Sequence, residues 1–240
     1  EIDAYRGRII DRNGKLLVHN SPIFDLNITM KKVKIEDTTR FCKLLQITED
    51  QFHNRIAEIR ADKRSYSPYK PYPFLSRISS EQYALVQDLF DYPGFEFKSN
   101  IERTYPHKNF GLGLGYISKI SGGDLKRDSI KYYRPIDYIG KSGIERKYEY
   151  NLRGTRGVEY VLRDVKGVIQ GPYADGLMDT VAKAGINLQS TIDLDLQAYG
   201  ELLMQNKLGS IVAIEPSTGE VIALISGPTY DPNLLSGPDF

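Results

Sequence analysis

The sequence predicts an α+β fold that is β-rich and elongated, with short surface helices, and three observations carry that reading. Residues 209–226 read as a hairpin with unusually apolar arms, 211–214 and 221–225, around a turn where Pro216 presets φ and Gly219 can take φ > 0. Asp11-Arg12-Asn13-Gly14, between the apolar runs 8–10 and 16–18, signals a second hairpin. Capping-box spacings at Thr48/Gln51, Ser79/Gln82 and Ser142/Glu145 each open a short amphipathic helix. Strands as apolar as 211–214 and 221–225 are expected where both sheet faces are covered. Only fourteen residues follow them, so the sequence reads as stopping just inside a second domain.

At 240 residues and 40% hydrophobic content, the chain can build one large core or two small ones. Its formal charge of +1 argues against a nucleic-acid surface. No apolar run approaches the ~18 residues of a membrane span, and no secretory signal is present. Cys42 stands alone, which excludes an internal disulfide, and His19, His53 and His107 are scattered, so neither a metal site nor a cofactor is expected.

Taken in order, Arg6-Gly7 sets a flexible glycine beside a long cation ahead of the first hairpin. Phe24, Leu26 and Ile28 alternate with Asp25, Asn27 and Thr29, which predicts a half-buried strand. A helix over about 36–45 gathers Phe41, Leu44 and Leu45 on one face, and the next carries Phe52, Ile56 and Ile59. Residues 63–73 read as irregular, because three prolines in six residues exclude helix. Their tyrosines and basic residues could grip a glycan or a partner protein, against the plainer reading of a solvated loop.

Residues 74–78 predict a strand, and Ser79/Gln82 opens a helix carrying Leu85, Val86, Leu89 and Phe90. Pro93-Gly94 signals a type II turn into an extended run toward Tyr105-Pro106. Gly111, Gly113 and Gly115 are not a dinucleotide loop, since position 116 is Tyr116; they read as permitting close backbone packing. Over 142–153 a single helix is expected, with Ile144, Tyr148 and Leu152 on one face, Glu149 and Arg153 paired at i, i+4, and Gly154 as left-handed cap. Residues 158–163 and 168–170 read as a hairpin through Lys166-Gly167, and 188–192 as a strand. Asp193 then caps a helix whose apolar residues include Leu196, Leu203 and Met204.

Four motifs in order carry a resemblance: Arg6-Gly7-x-Ile9-x-Asp11-Arg12-x-Gly14; Arg103-x-Tyr105-Pro106; Gly140-x-x-Gly143-x-Glu145-x-x-Tyr148-Glu149-x-x-Leu152-Arg153-Gly154; and Thr191-Ile192-Asp193-x-x-Leu196-Gln197. Together they resemble the N-terminal half of a class B penicillin-binding protein, and among its subtypes penicillin-binding protein 2 of the elongation machinery. The resemblance implies a non-catalytic pedestal or dimerisation domain over 1–186, followed over 187–240 by the first strands and helix of a β-lactamase-like transpeptidase domain. It also implies a parent protein anchored to the inner membrane by an N-terminal helix absent here, lying in the periplasm and cross-linking peptidoglycan through an acyl-serine that β-lactams attack. The implied partners are the missing transpeptidase domain, a SEDS-type glycosyltransferase, other elongation proteins and nearby peptidoglycan, with self-association of the fragment. Arg6, Asp11, Arg12, Arg103, Glu145 and Arg153 are expected to meet as one network, with Gly7, Gly14, Gly140, Gly143, Tyr148 and Gly154 completing the motifs.

No catalytic residue is expected in this chain, because the Ser-x-x-Lys, Ser-x-Asn and Lys-Thr-Gly motifs of the family lie beyond its end. Ser67-Pro68-Tyr69-Lys70 matches the first as a string, but Pro71 biases Lys70 away from the helical region that would set its amine beside the serine. Lys141-Ser142-Gly143 matches the last as a string, yet Ser142 reads as a helix cap. Pro135 occupies the position where a phosphate loop needs its first glycine. The rival readings are a self-contained acyl-transfer enzyme using Ser67 and Lys70, and a glycan-binding module acting through the tyrosine-rich loop.

Overall fold

The Asn13-Gly14 turn forms as its chemistry dictates: Gly14 takes φ +85°, and the Asp11 carboxylate accepts the backbone N–H groups of Asn13 and Lys15. It joins β1 (Ile9–Ile10) to β2 (Leu16–Thr29) in the computed structural model, which describes residues 1–35, 37–61, 66–86, 92–164 and 169–236. There follow α1 (Thr38–Leu45), α2 (Glu49–Ala61), β3 (Pro71–Ser79), α3 (Ser80–Leu85) and β4 (Phe95–Thr104). Next come α4 (Gly111–Leu114), β5 (Ile117–Lys119), α5 (Gly122–Arg127), β6 (Tyr138–Gly140), α6 (Gly143–Lys147) and α7 (Glu149–Leu152). The chain continues through β7 (Val161–Arg163), β8 (Ile169–Pro172), β9 (Leu188–Gln189), α8 (Leu194–Leu203), β10 (Gly209–Ile214) and β11 (Val221–Gly227). This is the mixed α+β fold that the sequence predicts.

Two compact units emerge, Ser21–Glu102 on the one hand and Glu1–Asn20 with Arg103–Phe240 on the other. In Ser21–Glu102, β2 pairs antiparallel with β3, Leu26 opposite Leu75 and Ile28 opposite Tyr72, and it also pairs with β4. Leu26 and Ile28 bury one face, on which Phe41 and Leu45 of α1, Phe52 of α2 and Phe74 of β3 close a core. Both capping boxes of this unit form, Thr48 with Gln51 and Ser79 with Gln82. Gly94 takes φ +93° in the expected Pro93-Gly94 turn. Strand β3 starts at Pro71, inside the stretch read as irregular. The side chains of Leu89 and Phe90, assigned to the face of α3, lie outside the described residues, as do Lys166 and Gly167.

In the other unit, β1 pairs antiparallel with β2, Ile9 opposite Val18, and parallel with β9, Ile9 opposite Leu188. Ile9, Leu17 and Val18 pack with Tyr105, Phe110, Leu114, Leu152, Ile192 and Leu194. Residues 187–236 share a compact unit with the opening hairpin. Several local expectations are corrected here. The helix expected over 142–153 is two, α6 and α7, broken at Tyr148 with φ −105° and ψ 22°, and Tyr148 is exposed rather than buried with Leu152. The strand expected over 188–192 is only Leu188–Gln189. Asp193 does cap α8, accepting from the N–H groups of Asp195 and Leu196, but the helix buries Leu194, Gln197 and Gly200, while Leu196 and Leu203 are exposed. The reason is close packing: a Cβ on Gly200 would lie 2.6 Å from the Ile225 side chain, so only the small face can meet β11. Hairpin β10–β11 buries Ala223 and Ile225, while Val212, Ile214 and Leu224 are exposed, so the second face that its apolar arms suit stays open, as expected for a hairpin with little chain after it to cover it.

Candidate functional site

Two glycine contacts place the centre of the 1–20/103–240 unit. Gly115 (φ +73°) and Gly143 (φ +57°) let α4 and α6 meet backbone to backbone, since a Cβ on Gly115 would stand 2.0 Å from the Ser142 carbonyl oxygen and one on Gly143 2.4 Å from that of Gly113. Gly140 is equally constrained, with its missing Cβ 2.3 Å from the Glu145 carbonyl oxygen. These approaches drive Glu145, on the first turn of α6, into the interior, where its side chain is fully buried.

A buried carboxylate needs cations and hydrogen bonds, and Glu145 has both. Arg103 Nε, at the end of β4, donates to Oε1 at 2.8 Å, and Arg6 Nε donates to Oε2 at 2.7 Å. Arg6 then forks across to Glu149, Nη1 to Oε1 at 2.9 Å and Nη2 to Oε2 at 2.6 Å, and Nη2 also reaches the Glu145 carbonyl at 3.0 Å. Asn20 ties the two arginines together, donating to the Arg6 carbonyl at 2.6 Å and accepting from Arg103 Nη1 at 3.0 Å. Glu149 additionally accepts from the Tyr133 hydroxyl at 2.7 Å and the Gly140 N–H at 2.9 Å.

The electrostatics follow from who shares what. Burial opposes the Arg6 charge, but two carboxylates outweigh it and raise its pKa above the ordinary guanidinium value. For Arg103 burial prevails over its single, shared carboxylate, and Arg6 beside it adds repulsion, so its pKa falls. Burial alone would raise the Glu149 pKa; the donors around it bring it below the usual range.

Of the predicted site residues, Arg6, Arg103 and Glu145 meet. Asp11, Arg12 and Arg153 do not join them. Buried Asp11 shapes the hairpin turn and accepts from Leu194 N–H at the start of α8 at 3.3 Å. Arg12 lies 3.5 Å from Glu220. Arg153 is stacked 3.8 Å from the centroid of the Tyr132 ring instead of pairing with Glu149, whose carboxylate is taken by Arg6. The Ser142/Glu145 capping box is likewise absent: each Glu145 oxygen serves an arginine, and the buried Ser142 hydroxyl accepts nothing from its helix. Gly7 and Gly154 are close-approach glycines, Gly7 against the Ile186 carbonyl and Gly154 (φ +71°) against that of Lys183.

Sequence reasoning missed three fasteners. Gln197 is buried and clamps Leu224 of β11 at both backbone groups, accepting from N–H at 2.8 Å and donating to C=O at 2.9 Å. Asn233 treats the Tyr105 backbone the same way, at 3.1 and 2.8 Å. Asp137 takes Arg134 and Arg156, both of which also reach Asp3. Gln197 stands within one of the four motifs, and that motif position was the available signal.

The arrangement binds separated segments. Ser67 and Lys70 stand across a turn outside any helix, in which Lys70 N–H donates to the Ser67 carbonyl at 3.1 Å. Among the described residues no group of His, Cys, Asp or Glu side chains could hold a metal ion, and no helix is long and apolar enough to cross a membrane.

Residues 1–189 match the penicillin-binding protein dimerisation domain. The chain is 34% identical over 234 residues to the peptidoglycan D,D-transpeptidase MrdA of Salmonella typhimurium, covering 95% of this chain and 37% of that protein. It is 32% identical over 236 residues to MrdA of Acinetobacter baumannii, covering 96% of this chain and 34% of that one, so it spans about a third of these relatives. The complex between penicillin-binding protein 2 and MreC from Helicobacter pylori shares its fold, with a TM-score of 0.73 at 23% identity, covering 99% of this chain and 44% of that one.

Proposed function

The chain belongs to the penicillin-binding proteins that carry the dimerisation domain, and from that premise we propose that it is the non-catalytic portion of a periplasmic peptidoglycan D,D-transpeptidase. Its role is to position the catalytic domain and to contact the elongation machinery, a SEDS-type glycosyltransferase among its partners. The observation that carries this is the Arg6–Glu145–Arg103 knot, which ties residues 6, 103 and 145 into the unit that also holds α8 and β10–β11. In this reading residues 187–240 open the catalytic domain. The outward face of β10–β11, with Val212, Ile214 and Leu224 exposed, supports docking of its remainder, and of a second copy when the chain is alone. The parent is membrane-anchored, and β-lactams acylate a serine outside this sequence.

The test is Glu145→Ala in the parent protein. Positioning predicts that labelling by a fluorescent penicillin persists while peptidoglycan cross-linking in cells falls. A folded variant with full cross-linking would sink the proposal. The isolated chain should not be labelled at all; stoichiometric labelling lost in Ser67→Ala would favour the self-contained enzyme.

A further inference from the structure

Three independent contacts hold the turn of residues 66–72 and the rings of Tyr66 and Tyr72. Tyr72, opposite Ile28 in the sheet, packs on the core of its unit, and the Tyr66 ring stacks on it at 5.8 Å between centroids and 23° between planes. The Tyr72 hydroxyl accepts the Ser67 N–H at 2.7 Å, and Lys31 N–H donates to the Pro68 carbonyl at 2.8 Å, which pins the turn from both sides. Beyond this base Tyr69 is 71% exposed, with the Lys31 ammonium 5.9 Å above its ring.

The two segments that meet at the turn are rich in cations. Lys31, Lys32, Lys34 and Lys70 are exposed, and neither 26–35 nor 66–80 contains a carboxylate. A solvated loop has no need to fix its rings, whereas a binding surface gains affinity when its aromatic groups are ordered before the ligand arrives. Flat aromatic faces receive the C–H faces of sugar rings, and ammonium groups receive carboxylates.

We propose that Tyr66, Tyr69, Lys31 and Lys70 form a binding platform for a carboxylate-bearing glycan, the sugar rings lying on the tyrosines and the acid groups on the lysines. That this glycan is the peptidoglycan strand rests on the family reading above; the platform itself rests on geometry alone. It is a second contact with the polymer, separate from any acyl transfer.

The experiment uses the 240-residue chain and glycan strands stripped of their peptides, whose lactyl carboxylates are free. Sedimentation equilibrium with these strands should show saturable binding that weakens about tenfold in Tyr69→Ala and in the double variant Lys31→Gln/Lys70→Gln. Neutral N-acetylglucosamine oligomers should bind more weakly than the acidic strands and lose their affinity in Tyr69→Ala only. These side chains are exposed, and circular dichroism confirms that the variants fold. Equal binding by wild type and Tyr69→Ala, or stronger binding to phosphatidylglycerol vesicles than to strands, overturns the platform. Cross-linking by the parent tests the family reading separately, so failure of one leaves the other standing.

Discussion

Rings hold Ser21–Glu102 together, while the 1–20/103–240 unit relies on charge, amide clamps and bare backbone. In the former, Phe41 touches Phe52, Phe74, Tyr92 and Phe95 at centroid distances between 4.6 and 6.3 Å, and the polar bonds lie mostly at the edges. In the latter, Glu145, Asp11, Gln197 and Arg103 are buried, each engaged by residues distant in sequence. A ring core tolerates repacking and specifies shape loosely; a buried ion network tolerates little and fixes which segments meet. That difference matches a unit whose core is assembled from segments far apart in sequence.

The sharpest way to break the comparison is to remove one member from each core. Glu145→Ala leaves buried Arg103 without its carboxylate and Arg6 with Glu149 alone, which should cost about 3–5 kcal/mol. Phe41→Ala should cost a similar ~3–5 kcal/mol through its cavity. Urea unfolding with amide exchange as the local probe should show the first loss confined to residues 6–20 and 103–153 and the second to 24–97. The substitutions differ in rescue: Phe41→Leu should recover most of the stability, whereas Glu145→Gln should recover little, because a neutral amide cannot satisfy two guanidinium groups. Full rescue by Glu145→Gln would show that shape, not charge, sets the fold there.

Gln197→Ala comes next. It strips both backbone groups of Leu224 of their partners, for an expected loss of about 1–3 kcal/mol. Faster exchange of the Leu224 amide is the direct readout, and unchanged exchange would mean that β10 and α8 hold β11 without the clamp. Asp193→Ala should cost only about 1 kcal/mol, the ordinary value of a lost N-cap.

The same division explains what was legible in the sequence. Periodicity and capping boxes are local signals, so the faces of α1 and α2 and the boxes at Thr48 and Ser79 could be read directly. At Ser142 the same spacing misled, because whether Glu145 turns back to its helix depends on Arg6 and Arg103, 139 and 42 residues away. Arg6, Arg103, Glu145 and Glu149 were recognisable as motif positions, but Asn20 was not, and Glu149 was assigned to Arg153 instead of Arg6, since no local rule says which carboxylate a distant arginine will choose. Helix α8 was misread for a related reason: it is apolar on several sides, and only Gly200 against Ile225 decides which side is buried.

Acid should separate the two units most gently. Glu149 has its pKa lowered from the ordinary 4.5: burial pushes it up, but hydrogen bonds from Arg6, Tyr133 and Gly140 outweigh that. Between the folded and unfolded values the unfolded chain binds more protons, so stability rises with pH there. The contribution is therefore complete above about pH 4.5 and is lost as the pH falls through the lower folded value. Phe41 and its neighbours bring no such group into their core, so protection of residues 138–153 should decline from pH 5 to pH 3 ahead of that of 41–56. Glu149→Gln should flatten the decline at 138–153 while lowering protection at pH 7, because the Arg6 fork then has only Glu145. If acid instead loosens both regions in parallel, and Glu149→Gln leaves the profile unchanged, the knot draws its stability from burial and the contrast between the units fails.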